Sequence, residues 1–274
     1  MMWEHLKQEQ KDKYKTLITN FASLSEAFSQ KAEGEDSDDR ESYVAPIVNS
    51  KFQETVFQKA FHAVGEDIAN TSYDASVVVD EQHKYLVGIK SFGLDSGDQK
   101  IAQFKKDSQS WNELLSEIRF QAEISPDKET ADKENQARYE KLAREIASLR
   151  NQRIESSKAL IKGFHSDSSH VEAVYHVLMP TSKGDKPQIH VGETTYLPVD
   201  LDHLKILGST TKNNPTNFRF TDGHHDYKYT AADSQLHMTF RNKEIVVDTW
   251  DVNYVEDPFY LFEHLHLLTS EKSD

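Results

Sequence analysis

The chain has 274 residues, a formal net charge of −14, 36% hydrophobic and 28% charged residues, and no cysteine. This composition predicts a globular protein that buries a substantial core, as one large domain or two small ones. It excludes disulfides and thiolate metal sites, and its acidic balance argues against binding nucleic acid through overall charge alone.

Several other functional classes lack their sequence signals. No apolar run approaches the roughly 20 residues of a membrane helix, and the first residues do not form a signal peptide. We therefore expect no membrane partner and a cytoplasmic location. Neither a phosphate-binding glycine loop nor a Gly-x-Ser-x-Gly elbow occurs, which argues against ATP-driven, redox and serine-hydrolase chemistry.

The N-terminal part, residues 1–46, predicts a helix and an acidic linker. Between residues 3 and 31, apolar side chains recur at helical spacings of three, four and seven. We expect this helix to pack on its own domain, with a dimer element as the alternative. Residues 32–46 are acidic and end at Pro46, which predicts a linker or exposed loop.

The second part, residues 47–180, begins with a helix predicted over 49–65. Asn49 or Ser50 would cap it and Gly65 would end it. Two apolar strands follow, joined by a turn, and a second helix is expected after them. The predicted bounds are residues 73–80 and 85–92 for the strands, 81–83 for the turn, and Gln99 for the start of the second helix.

Three side chains on these elements carry candidate chemistry. Glu54 lies in the first helix, Asp74 opens the first strand, and Lys90 lies near the end of the second strand. Carboxylate oxygens suit Mg²⁺, a hard cation that keeps several waters. An ammonium nearby can orient a water and offset charge while a phosphodiester is attacked.

This order resembles the core of the PD-(D/E)xK nuclease superfamily, which includes many type II restriction endonucleases. Tyr73-Asp74 matches the "PD" and Gly88-Ile89-Lys90 matches the "(D/E)xK", but Gly88 stands where the family has its second acid. The resemblance covers about the middle third of the chain. A structural interpretation remains beside it: Asp74 caps a turn and Lys90 extends from a strand edge.

The resemblance implies a role for each residue. Asp74 and Glu54 would bind Mg²⁺, the Ile89 carbonyl would face the metal, and Lys90 would position the attacking water. Gln99 would orient Lys90 or a phosphate. If Glu54 does not replace the acid missing at Gly88, the next candidates are Glu66, Asp67 and Asp80.

Strand register decides whether this site can form. A three-residue turn at 81–83 pairs Asp80 with Lys84 and places Asp74 opposite Lys90, on one face of the hairpin. A two-residue turn would shift the register by one residue, so that the Asp74 side chain would point to the opposite face from Lys90. A β-bulge could return Asp74 to the same face as Lys90. With the first register, Gly88 would leave open space beside the metal.

A helical insertion at 127–163 interrupts this part. Its mixed charges and sparse apolar positions predict a long helix over about 128–162. This helix would be an arm that mediates dimerisation or straddles DNA, consistent with a homodimer. The favoured alternative is a helix laid across the sheet. Residues 170–179 then predict a later strand of the same core.

The third part, residues 181–274, is rich in β-forming residues and turns. Strands are predicted over 188–197, 218–221, 226–230, 236–241 and 244–250, with turns at Asp222-Gly223 and 241–243, a loop at 213–215, and a helix over 259–268. The histidines at 224, 225, 264 and 266 fit a surface turn and a helix better than a metal site.

DNA contacts are expected from polar residues on either side of the long helix. Lys100 and Lys105 belong to a basic group near the proposed site, and Lys212, Asn214 and Arg219 offer hydrogen-bond donors in the β-rich part, as does Lys228. Ordinary polar turns are an equally open interpretation of the latter group.

The sequence as a whole predicts a mixed α/β (α+β) fold. It would comprise a restriction-endonuclease-like core, a helical N-terminal arm, a long helical insertion and a β-rich C-terminal part. The predicted function is a Mg²⁺-dependent endonuclease acting on DNA. The alternatives are a non-catalytic nucleic-acid- or protein-binding module on the same fold, or an acidic protein assembled through its long helix.

Overall fold

The computed structural model describes residues 1–28, 43–65, 72–160 and 171–268. The fold is mixed α+β, as predicted from the sequence. Its α-helices are α1 (Met2–His5), α2 (Gln8–Ala22), α3 (Ser50–Phe61), α4 (Asn112–Ile124), α5 (Lys128–Leu160) and α6 (Pro258–His264). Short 3₁₀ helices span Ser25–Phe28, Ser108–Trp111 and Leu265–Leu268.

The strands form two sheets. The first has the order β1-β2-β3-β5-β6-β11 and the second has the order β4-β10-β9-β8-β7. The strands are β1 (Val64–Gly65), β2 (Ala75–Val78), β3 (Lys84–Ser91), β4 (Gln99–Gln103), β5 (Val171–Pro180), β6 (Gln188–Thr195), β7 (Lys205–Thr211), β8 (Asn214–Thr221), β9 (Asp226–Thr230), β10 (Gln235–Thr239) and β11 (Val246–Asp251).

The first sheet contains the predicted hairpin. β1, β2 and β3 pair antiparallel, and β5 lies parallel to β3 on its other side. A parallel pair needs a long crossover, and here the connection contains β4, α4 and α5. The helical insertion thus joins two neighbouring strands of one sheet.

Two apolar cores flank the first sheet. One lies under the N-terminal helices and contains Trp3, Tyr14 and Phe57 together with Val87 and Ile89 of β3. The other lies between the two sheets, where α5 packs against the second sheet. The long helix therefore lies across a sheet, but across the second sheet and not across the sheet of the predicted hairpin.

Helix ends differ from their predicted positions. The N-terminal helix breaks at Lys7, which is extended, so α1 and α2 are separate. Asn49 caps α3 as expected, but α3 ends at His62 in a left-handed conformation, and Gly65 lies in a strand. Most of the predicted linker lies outside the described residues, as do Glu66, Asp67 and His170.

The prediction of a helix that begins at Gln99 is wrong. Residues 99–103 form β4, which pairs with β10, and helical structure begins only at Ser108. Short apolar runs suit a helix or a strand equally well, and here a distant partner strand decided between them.

Each of the two sheets contains strands from both the second and the third predicted parts of the chain. β4, from the part before residue 181, joins the second sheet, whereas β6 and β11, from the β-rich part, join the first. β7 was not predicted, and β8 begins at Asn214, within the expected loop. Across the described ranges, no helix combines the length and apolar character of a membrane span.

Candidate functional site

Asp74 lies directly before β2 and binds the backbone of β3 twice. Its N–H donates to the Val87 carbonyl at 2.9 Å, and its carboxylate accepts the Ile89 N–H at 2.6 Å. Because strand N–H groups point along the sheet, this carboxylate lies close to the sheet plane. It is held beside the residue that precedes Lys90.

The hairpin has a different register from the predicted one. Val78, not Asp80, pairs with Lys84. When this register is extended by one residue beyond β2, Asp74 lies opposite Gly88 instead of Lys90. The longer turn forms because the Asp80 carboxylate accepts the N–H groups of Gln82 and His83, each at 2.8 Å. The shift of two residues preserves the alternation along each strand, so Asp74 and Lys90 keep positions of the same parity.

Helix α3 reaches the end of β3 through polar side chains. The buried Gln53 side chain donates to the Lys90 carbonyl at 3.1 Å, and the Ser50 and Ser91 hydroxyls are 2.9 Å apart. Glu54 follows Gln53 on this helix. Its partly buried carboxylate pairs with Lys51, one turn earlier, at 2.8 Å.

The space expected beside Gly88 is filled, which corrects that prediction. Gly88 pairs with Tyr175 of β5, and the Tyr175 and Tyr196 rings stack with centroids 4.0 Å apart. A Cβ on Gly88 would lie 2.9 Å from an atom of each ring. A carboxylate therefore cannot be added here without moving the rings.

Arg150 of α5 completes this aromatic stack. Its guanidinium lies over the Tyr196 ring, 5.2 Å from the centroid, and donates to the Leu197 carbonyl at 2.9 Å. It also approaches the Tyr175 hydroxyl at 3.4 Å, and the residue is only 3% exposed. Near the position of the family's second acid, this chain has two tyrosines and a buried cation.

The available metal ligands are therefore few. Among the described residues, no group of three or more His, Asp and Glu side chains is placed to hold a metal ion. Mg²⁺ commonly binds through one or two carboxylates, its own waters and substrate phosphates. Asp74, Glu54 and the Ile89 carbonyl are oxygen donors of this kind. Oxygen donors fit Mg²⁺ by their chemical type. These three would complete its coordination only together with water and substrate phosphate oxygens.

Gln99 does not take the predicted position. It begins β4, in the other sheet, and its side chain donates to the Gly97 carbonyl at 2.9 Å. It therefore does not begin a helix that follows Lys90, and a role in orienting Lys90 has no support from this geometry.

The predicted DNA-binding residues separate into two places. Lys100 and Arg219 lie on the second sheet, and Lys105 is exposed just after β4. Lys212 and Asn214 lie at the β7–β8 turn instead. The Lys212 ammonium donates to the carbonyls of Ser125 and Pro126, at 2.9 and 3.0 Å, and so fastens this turn to the α4–α5 connection.

Two features of the site were not predicted from the sequence. One is Gln53, whose signal was available: it is a polar residue in the buried stripe formed by Val56, Phe57 and Ala60. The other is the packing of Tyr175 and Tyr196 over Gly88, which brings together residues from β3, β5 and the end of β6, and has no local signal.

No family model, curated protein or solved structure matches this chain. The chemistry of the site therefore rests on its own residues.

Proposed function

We propose that this chain is a Mg²⁺-dependent endonuclease, similar to restriction enzymes, that hydrolyses DNA phosphodiester bonds at the end of β3. The observation that carries the proposal is the 2.6 Å hydrogen bond between the Asp74 carboxylate and the Ile89 N–H. This bond holds an acid beside the strand segment that bears Lys90.

The arrangement of the elements supports the same proposal. An acidic residue on α3, an acid before β2 and a lysine on β3 occur in the order that the resemblance implies. The N-terminal half of α3 contacts the end of β3 through Gln53 and Ser50. α3 packs on the face of β3 that bears Val87 and Ile89, whereas Lys90 has the parity of Leu86 on the other face. Glu54 would therefore join Asp74 and Lys90 by reaching round the end of the strand.

The side chains have complementary tasks in this chemistry. Asp74 and Glu54 would hold Mg²⁺ together with substrate phosphate, and the bound ion would supply Lewis acidity and a more acidic water. The Ile89 N–H fixes the direction of the Asp74 carboxylate. The Lys90 ammonium offsets the negative charge that grows on the phosphate oxygens as water attacks and the leaving oxygen departs.

Asp74→Asn tests the proposal, because it separates charge from structure. The asparagine carbonyl can still accept the Ile89 N–H, so the fold should remain while the metal-binding charge is lost. We expect at least a 100-fold loss of Mg²⁺-dependent cleavage of mixed-sequence DNA, with an unchanged unfolding midpoint in urea. Lys90→Gln should lose activity similarly.

Asp80→Asn is the matched control, since Asp80 also accepts backbone N–H groups, at the other end of the hairpin. It should retain cleavage. Full activity of Asp74→Asn would contradict the site, and a wild-type protein that cuts no DNA with Mg²⁺ would contradict the function.

The second candidate is a non-catalytic nucleic-acid-binding module on the same fold. The filled space at Gly88 favours it, because the rings of Tyr175 and Tyr196 and the cation of Arg150 replace the family's second acid. Salt-dependent DNA binding without cleavage would support this candidate over the first.

A further inference from the structure

The outer face of the second sheet is polar throughout its three central strands. Buried apolar side chains alternate with partly exposed polar ones along β8, β9 and β10. The buried set includes Phe218, Phe220, Tyr227, Tyr229, Leu236 and Met238, which belong to the core between the sheets. The polar set faces away from that core.

Four basic residues form a row across this outer face. Arg219 of β8 pairs with Lys228 of β9, Lys228 pairs with His237 of β10, and His237 pairs with Lys100 of β4. Like charges directly opposite one another destabilise a sheet. The opposed pair of Arg219 and Lys228 therefore needs an anion to offset its charge.

Asp98 supplies one such anion. Its carboxylate pairs with Arg219, lies 2.9 Å from the Lys228 ammonium and accepts the Thr239 hydroxyl at 2.7 Å. Its side chain is only 7% exposed. Burial alone would raise the pKa of Asp98, but the hydrogen bonds from Arg219, Thr239 and Lys228 outweigh it and lower the pKa to about 2.

One carboxylate leaves the row with excess positive charge. Burial lowers the pKa of His237, so its imidazole is neutral near pH 7. Arg219, Lys228 and Lys100 then contribute three positive charges against the single carboxylate paired within the row, Asp98. Asp226 lies on the same face of β9, where its carboxylate is 3.8 Å from the Arg241 guanidinium. The row spans four strands, roughly 14 Å at the usual strand spacing, which is long enough to meet two or more phosphates of one DNA strand.

We propose that this row binds the phosphate backbone of double-stranded DNA, with Asp98 as an internal counter-ion that competes with the phosphates. The identity of the polyanion rests on the proposed function. The partly exposed positions of β8, β9 and β10, among which the row lies, hold no phenylalanine, tyrosine or tryptophan on which unpaired bases would stack. Contact with phosphates rather than with bases follows from this composition.

Binding is measured by fluorescence anisotropy of a labelled mixed-sequence duplex in EDTA, so that cleavage does not interfere. Three phosphate contacts predict a roughly 40-fold loss of affinity between about 50 and 200 mM salt. Arg219→Gln, Lys228→Gln and Lys100→Gln should each bind more weakly and reduce that loss to roughly 12-fold. Lys141→Gln, an exposed lysine on α5, is the matched control and should match the wild type.

Asp98→Asn provides a test of the opposite sign. Asparagine can still accept the Thr239 hydroxyl, but it removes the competing charge, so DNA binding should tighten. Weaker binding by this variant, unchanged binding by all three row variants, or stronger binding to the single strand or to duplex RNA would overturn the proposal. Because EDTA prevents cleavage, an absence of nuclease activity would sink the proposed function and leave this binding surface intact.

Discussion

The α-carbon of Gly88 lies against the stacked rings of Tyr175 and Tyr196, with no room for a side chain. At the scale of one residue, this explains the departure from the nuclease pattern. Glycine is needed here because two aromatic rings occupy the space, so this position cannot hold an acidic side chain unless the rings move. Gly88→Glu alone is therefore not expected to restore a family-like metal site.

Gly88→Ala should destabilise the protein. Its methyl group would lie 2.9 Å from atoms of both rings, and overpacking of this kind typically costs about 1–3 kcal/mol. The free energy of unfolding in urea measures the effect. Gly97→Ala is the control, because an added Cβ there meets no atom within 4 Å. Equal stability of the two variants would show that the tyrosine rings yield easily.

At the scale of elements, α3 connects the N-terminal region to the candidate site. Its apolar stripe packs against β3, and Gln53 adds a hydrogen bond to the Lys90 carbonyl. The direction of the helix is set at its start, where the Asn49 side chain accepts the Phe52 N–H at 2.9 Å. Fraying of this first helical turn would also make the position of Glu54, one turn further along α3, less well defined.

Asn49→Ala should lower the free energy of unfolding by about 1 kcal/mol, because it leaves the Phe52 N–H without its cap. Asn49→Asp, which keeps an acceptor, should be close to the wild type. Urea denaturation checks both variants. Asn20→Ala, at an exposed position of α2, controls for loss of an asparagine elsewhere and should change stability by less than about 0.5 kcal/mol. A similar loss in both alanine variants would argue against the cap.

At the scale of the whole molecule, the N-terminal segment is fastened to the first sheet through a buried carboxylate. Glu193 of β6 accepts the Trp3 N–H at 2.8 Å and lies opposite His176 of β5, whose ring stacks on Trp3. Burial raises the pKa of Glu193 to about 7 and lowers the pKa of His176 to about 3. Both residues are almost completely inaccessible to solvent.

These shifts make stability depend on pH with opposite signs. The folded state binds the Glu193 proton more tightly than the unfolded chain, so this contribution is full below pH 4.5 and is lost as pH rises through about 7. The contribution of His176 is full above pH 6.5 and is lost as pH falls towards 3. The Glu193 term must therefore be isolated by substitution.

Glu193→Gln should become more stable relative to the wild type as pH rises from 4.5 to 8, by on the order of 3 kcal/mol. Urea denaturation across this range measures the difference. Glu123→Gln, at an exposed position of α4, is the matched control for replacing a glutamate by glutamine elsewhere in the chain. A pH-independent difference for Glu193→Gln would show that the carboxylate is not buried as the structure places it.

The sequence by itself determined the elements whose pattern is local. Helical spacing and an asparagine cap specified α3, and an uninterrupted helical stretch specified α5. Alternation and turn residues located β9, and the Asp222-Gly223 turn before it. The hairpin that carries Lys90 and begins just after Asp74 was likewise located, because two short apolar runs joined by a polar turn favour a hairpin.

The tertiary structure decided what depends on distant partners. β4 is a strand because β10 pairs with it, and Asp74 counts opposite Gly88 because the Asp80 turn is longer than its residues suggest. The rings over Gly88 and the row on the second sheet come from strands far apart in the chain. Local spacing encodes periodicity, whereas register and packing arise from long-range contacts that no short window of sequence contains.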